Sequence, residues 1–224
     1  MAYFSDRVDA GKRLAEALAD FRGKDAAVLA IPRGGVVVGY EIATAFMLPL
    51  DVIVPRKLGS PDNPELAIGA IAEDGSRVLD NQLVVYLGVS DGYIEEESER
   101  QRQEIARRMK VYRAGAEPID LQSKDVIIVD DGIATGSTMK AALLSVRNRG
   151  AKSVTVAVPV GPPQTITELK HLSDRVVCLY TPEYFQAIGQ FYEDFSQTSD
   201  EEVIRLLKLC REGLKLNPQG VSAI

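Results

Sequence analysis

The sequence predicts an α/β protein in which a mainly parallel sheet is flanked by helices and followed by a small C-terminal segment of different texture. Three observations predict it. Short continuous apolar runs such as AAVLAI, DVIIVD and SVTVAVPV recur along the chain, and uninterrupted β-branched runs of this length suit strands buried on both faces. Segments with helical apolar spacing lie between them, which is the alternation of parallel strands joined by crossover helices. At 224 residues with 46% hydrophobic residues, the chain is long enough to bury the core such a sheet needs.

Each element has its own local signal. Residues 5–21 form a helix whose stripe is Val8, Leu14, Leu18 and Phe21. AAVLAI, 26–31, is a buried strand running into the turn Pro32-Arg33-Gly34-Gly35, after which 36–46 is a crossover helix. LDVIVP, 50–55, is the next strand. It feeds RKLGSPDNPE, whose prolines, glycine, Asp and Asn mark a mobile loop without internal structure. Residues 67–74 and 77–80 read as short strands joined at Gly75. From Ser90 to Tyr112 a long helix carries glutamates early and arginines late, complementing its dipole, with Glu96/Arg100 and Glu104/Arg108 at i,i+4. Strand 125–130 precedes a helix over 137–149 closed by Gly150. Strand 153–160, a short helix over 164–171 and the last sheet strand, 175–180, follow. The stretch PEYFQAIGQFYEDF, 182–195, is dense in aromatics with little periodicity. Ser199 to Glu212 is a terminal helix, with Ser199 as cap, Glu202 at the capping-box position and Gly213 as its stop. The chain thus divides into a core over 1–181, with a flexible loop at about 57–66, and a segment over 182–224.

Charge and composition exclude several functions. A net charge of -6 with a pI near 5.0 argues against bulk binding of nucleic-acid backbone, so any phosphate must be held locally. No leader pattern and no run of about 18 apolar residues is present, so a cytoplasmic protein without membrane spans is expected. Cys178 and Cys210 lack metal-ligand spacing and read as buried free thiols. With His171 the only histidine, placed at a helix end, Ser-His-Asp and Cys-His hydrolase schemes are hard to sustain.

The informative stretch is VIIVDDGIATGSTM, 126–139. A buried strand runs into Asp130 and Asp131, then into Ala134-Thr135-Gly136-Ser137-Thr138, which supplies free backbone N–H groups at a helix start, three hydroxyls and a glycine permitting close approach of a phosphate. Neither GxxxxGK[ST] nor a post-strand GxGxxG is present, which disfavours a nucleoside triphosphate or a dinucleotide. Carboxylates accept hydrogen bonds and donate none, so their partners on a neutral ligand are a vicinal diol. A sugar phosphate satisfies both halves of the run: its phosphate goes to the turn, its hydroxyls to the acids.

This run resembles the signature of the type I phosphoribosyltransferases, most of all the Asp-Asp-x-x-Ala-Thr-Gly-x-Thr form of adenine phosphoribosyltransferases. IPRGGVVVGYE, VPRKLGSPDNPELAIGAIAEDG and PEYFQAIGQFYEDF are closer still to an uncharacterised bacterial branch of the same family. The resemblance implies a type I phosphoribosyltransferase-like fold with a C-terminal hood, 5-phosphoribosyl 1-diphosphate as the small-molecule donor, and a homodimer. It implies that Asp130 and Asp131 hold the ribose hydroxyls directly or through magnesium. Residues Ala134, Thr135, Gly136, Ser137 and Thr138 would bind the 5-phosphate. Arg33 and Gly34 would contact pyrophosphate, and Arg56 and Lys57 would be the catalytic basic pair before a closing loop. Apart from the resemblance, Glu65 in that loop can be read as a proton acceptor, although a structural role suits it better. Position 134 is alanine where hypoxanthine-guanine enzymes have aspartate, which speaks against a 6-oxopurine acceptor.

Plainer readings stand beside these. Arg33-Gly34-Gly35 fits a tight strand-to-helix turn, Arg56-Lys57 a decorated surface loop, and Tyr184, Phe185, Phe191, Tyr192 and Phe195 a satellite core as well as a hood over the acceptor. Three functions remain open: transfer of ribosyl phosphate to a nitrogen of a small acceptor such as a nucleobase, sensing of the donor or a nucleotide without turnover, and hydrolysis of a phosphosugar or nucleotide with the two aspartates as magnesium ligands.

Overall fold

A computed structural model describes residues 3–216. In chain order its elements are α1 (Arg7–Ala17), β1 (Ala26–Ala30), α2 (Gly34–Phe46), β2 (Leu50–Val52), β3 (Arg56–Gly59), β4 (Ala67–Ile71), β5 (Arg77–Leu79), α3 (Asn81–Tyr86), α4 (Asp91–Arg113), β6 (Asp125–Val129), α5 (Ser137–Asn148), β7 (Ser153–Val160), α6 (Pro163–Lys170), β8 (Arg175–Tyr180) and α7 (Asp200–Leu216). Five strands form one parallel sheet in the order β2-β1-β6-β7-β8, and β3-β4-β5 form a separate antiparallel sheet. Winding goes outward from β1 to β2 and then crosses back to β6 on the other side of β1. The reversal point therefore lies between the carboxyl ends of β1 and β6, where such sheets open a crevice.

Both faces of the parallel sheet are covered, which is why its strands are apolar at every position. Val28, Ala30, Ile127 and Val129 point to a core shared with α1, α2, α4 and α7, while Ala27, Leu29, Val126 and Ile128 point to a second core under α5 and α6. The terminal helix contributes Val203, Leu206, Leu207 and Cys210 to the first of these cores, so it packs with the sheet. Asp6, Asp80 and Ser90 cap α1, α3 and α4 through their side chains.

Several expectations need correction. Residues 56–59 are not structureless: Arg56 pairs with Ile71 and Lys57 with Ala70, and fully buried Leu58 anchors the strand. The turn is confined to 60–66, tied by Ser60 N–H donating to Leu66 O at 2.9 Å and Ser60 Oγ to Asn63 O at 2.8 Å. Helix α2 begins at Gly34 rather than Val36. Helix α3 was not anticipated, because none of its residues is buried and no apolar stripe marks it. Gly213 does not stop α7, which continues to Leu216, while Leu214 packs on the core. One interior glycine costs a helix only about 1 kcal/mol. Glu202 N–H does donate to Ser199 Oγ at 3.2 Å, as the cap requires. In α4, Glu104 pairs with Arg108 at 2.7 Å, but Arg100 takes Glu97 rather than Glu96. Of the two free cysteines, Cys210 is buried and Cys178 half-buried, and burial pushes both thiols up to about 11. Positions 217–224 of the C-terminal segment lie outside the described residues.

Candidate functional site

The crevice at the reversal point is an open cleft of 740 Å³. The end of β1 brings Pro32, Arg33 and Gly34 to it, the end of β6 brings Asp130, Asp131 and Thr138, and β3 brings Arg56 and Lys57. Segments remote from one another in sequence therefore meet. Thr135 and Ser137 open onto an adjoining cleft of 490 Å³, with Lys57 on the wall common to both. Ala134 and Gly136 line neither cleft but shape the turn. Ala134 O accepts from Thr165 Oγ1 at 2.8 Å, and Gly136, at φ 74°, takes the left-handed conformation that starts α5. Beyond it the first N–H groups of α5 face outward beside the Thr135 and Ser137 hydroxyls, which are 3.4 Å apart.

The two glycines after β1 make this approach possible. A Cβ on Gly34 would lie 1.9 Å from Asp131 Oδ2, and one on Gly35 would lie 2.9 Å from Asp130 Cα. The start of α2 is thus pressed against the acid pair, a demand that a plain strand-to-helix turn would not make.

Asp130 Oδ1 accepts from the Asp131 N–H at 2.8 Å. Desolvation and the adjacent Asp131 carboxylate push the Asp130 carboxyl well above the usual carboxylate range. Asp131 Oδ2 accepts from Arg7 Nε at 2.7 Å, and Tyr192 donates its hydroxyl to Asp131 O at 2.7 Å. One oxygen of each acid is thus engaged by a donor, and the other accepts no hydrogen bond from a donor among the described residues. Two carboxylates with open positions suit magnesium, which keeps several waters and shares phosphate oxygens. The described residues contain no group of three or more His, Cys, Asp or Glu that would make an all-protein metal cage.

The basic side chains of the cleft differ in how they are neutralised. Arg33 stands 3.7 Å from Asp200, Arg100 is paired with Glu97, and Arg108 with Glu104. Neither Arg56 nor Lys57 joins an ion pair among the described residues. Arg56 Nε donates instead to the neutral Gln101 Oε1 at 2.9 Å, and Gln101 Nε2 donates to buried Glu97 at 2.8 Å. Burial, then the nearby Arg108 guanidinium, pulls the Arg56 pKa down. A partly buried cation with no ion-pair partner among the described residues suits an anion site.

Of the aromatic segment, Phe191 and Tyr192 pack with Phe4 in a satellite core, Tyr184 is exposed, and Phe195 reaches the cleft beneath Arg7. Glu65 also lines the cleft. His171 lies at the end of α6 and is absent from the cleft lining. Sequence reasoning missed Arg7, Gln101, Tyr192 as a contact of Asp131, and the α4 wall. Arg7 follows the cap of an amphipathic helix and has the signature of any solvated helix residue.

The family model described as the phosphoribosyl transferase domain matches residues 6–196. A Mycobacterium tuberculosis protein assigned to the phosphoribosyl transferases is 47% identical over 207 residues, covering 92% of this chain and 47% of its own length. The chain therefore spans about half the length of the curated relatives it matches. A uracil phosphoribosyltransferase of Desulfitobacterium hafniense is 34% identical over 59 residues, 26% of this chain and 28% of that protein. The crystal structure of the protein TT1426 from Thermus thermophilus superposes with a TM-score of 0.79 at 42% identity, covering 92% of this chain and 98% of that one. No helix among the described residues is long and apolar enough to cross a membrane.

Proposed function

This chain belongs to the phosphoribosyl transferase family, and on that premise we propose that it moves the ribosyl 5-phosphate group of 5-phosphoribosyl 1-diphosphate to a nitrogen of a small acceptor, with magnesium, releasing pyrophosphate. The observation that carries the reading is the meeting of three features at two adjoining clefts that share Lys57. These are the acid pair Asp130 and Asp131, a hydroxyl-rich helix start at 134–138, and Arg56 and Lys57, which join no ion pair among the described residues.

Breaking the anomeric bond builds positive charge on the sugar ring and negative charge on the departing diphosphate. The acid pair anchors the ribose diol beside the positive ring. The N–H groups of Ser137 and Thr138 and the nearby hydroxyls fix the 5-phosphate. Arg56, Lys57 and the backbone at Arg33-Gly34 face the leaving group, where cations without competing carboxylates stabilise the growing charge most. Magnesium, when bound, neutralises part of the diphosphate charge. The turn at 60–66 with Glu65 borders the cleft and can exclude water that would otherwise hydrolyse the donor.

The test is pyrophosphate release from donor and magnesium with a panel of nucleobases and amines. Acceptor-dependent release supports the proposal. Acceptor-independent release points to a hydrolase, and donor binding without release to a sensor.

A further inference from the structure

Two hydrogen bonds from outside the fourteen-residue run reach Asp131. Arg7, in the first turn of α1, donates Nε to Asp131 Oδ2 at 2.7 Å and Nη1 to Ser196 O at 2.7 Å, and its guanidinium carbon lies 3.9 Å over the Phe195 ring. Tyr192 holds the Asp131 backbone carbonyl from the other side, and Phe4 ties Tyr192 to the start of the chain through a parallel bridge. The Arg7 and Asp131 side chains are only 12% and 13% exposed, so this is no solvated surface pair.

Resting on the transferase reading above, we infer that Arg7 is a positioning residue for the sugar-binding acid pair, and that Tyr192 to Ser196 form the brace that fixes it. Two neighbouring carboxylates repel each other, and a guanidinium bonded to one of them offsets part of that repulsion. The bond engages a single oxygen. Asp131 Oδ1 is left for a ligand hydroxyl, just as the Asp131 N–H engages Asp130 Oδ1 and leaves Oδ2. Stacking on Phe195 and the bond to Ser196 O hold the planar fork in one orientation, so the free Asp131 oxygen is aimed before the ligand arrives. The aromatic segment thereby acquires a role that needs no contact with the acceptor. A contrasting possibility, in which Arg7 plugs the acid pair and must be expelled by the sugar, makes the opposite prediction.

Calorimetric titration of ribose 5-phosphate and of inorganic phosphate into the parent, Arg7→Met and Arg7→Lys proteins tests the inference. Arg7→Met should lose about tenfold or more in affinity for ribose 5-phosphate, the scale of one charge-assisted contact. Affinity for inorganic phosphate should stay unchanged because the 134–138 turn is intact, and Arg7→Lys should recover part of the loss. Unchanged or tighter ribose 5-phosphate binding in Arg7→Met would overturn the inference, as would an equal loss for both ligands. If the parent prefers ribose 5-phosphate over inorganic phosphate and Arg7→Met does so equally, this inference alone falls. A parent without that preference would remove the transferase reading and this one together.

Discussion

Gly34 and Asp131 occupy space that only a residue without a side chain can share: a Cβ at 34 would lie 1.9 Å from Asp131 Oδ2 and 2.6 Å from Arg7 Nε. Both groups are already fixed to each other, so the carboxylate has no easy direction in which to yield. Gly34→Ala should cost about 1–3 kcal/mol of stability, the range for overpacking a tight contact. It should weaken ribose 5-phosphate binding by more than that stability loss alone would suggest. Urea denaturation and a binding titration on the same preparation check this, and unchanged binding would contradict it.

Tyr192 supports the same residue through its backbone. Removing the hydroxyl in Tyr192→Phe leaves the Asp131 carbonyl without its 2.7 Å donor in a half-buried place. A destabilisation of about 1–2 kcal/mol is expected by denaturant titration, since an orphaned buried acceptor carries its desolvation penalty. A stability equal to the parent would mean that water replaces the hydroxyl freely.

The raised Asp130 pKa has a definite sign. When folding lifts a carboxyl above its ordinary value near 3.8, the folded state binds the proton more readily than the unfolded one. Below that value both states are protonated and Asp130 carries no penalty. As pH climbs through the raised pKa the folded state must ionise a desolvated acid, and stability falls. Asp130→Asn should therefore gain more stability over the parent at pH 8 than at pH 4. Ribose 5-phosphate binding should be weaker in the variant at pH 8, because an amide supplies one acceptor where the ionised acid supplies two. Urea midpoints at the two pH values decide this, and a larger gain at pH 4 would contradict it.

Arg56 and Lys57 should act on the diphosphate and not on the sugar. Arg56→Gln and Lys57→Met are each expected to lower pyrophosphate affinity by about tenfold, on the scale of a lost charge-assisted contact. Ribose 5-phosphate binding should change much less in Arg56→Gln. Equal losses for the two ligands in that variant would place Arg56 elsewhere in the mechanism.

How much of this was legible follows from where the information sits. Asp130 to Thr138 could be read directly because strand, acids and phosphate turn are contiguous, and each residue type has a chemical reason at its position. The ion pair of Arg7 with Asp131 joins positions 124 apart, and nothing local distinguishes Arg7 from a solvated helix residue. The strand at Arg56–Gly59 was masked by the turn-forming residues that follow it, although Leu58 is among the most buried side chains in the protein. Helix α3 left no periodic trace because it is short and only Leu83 and Val84 pack partly on the core, and α7 runs through Gly213 because packing on α2 outweighs one residue's propensity. Short-range chemistry was visible in the sequence, whereas the second layer of contacts that fixes it depends on the tertiary fold.

The central claim is that a single sugar phosphate spans the acid pair and the 134–138 turn. Ribose 5-phosphate titrated into the parent, Asp131→Asn and Thr135→Val, each verified as folded, measures it most directly. Weaker binding by about tenfold or more in both variants is predicted, since each removes one end of a bridging ligand. Parent-like affinity in either folded variant would contradict the account.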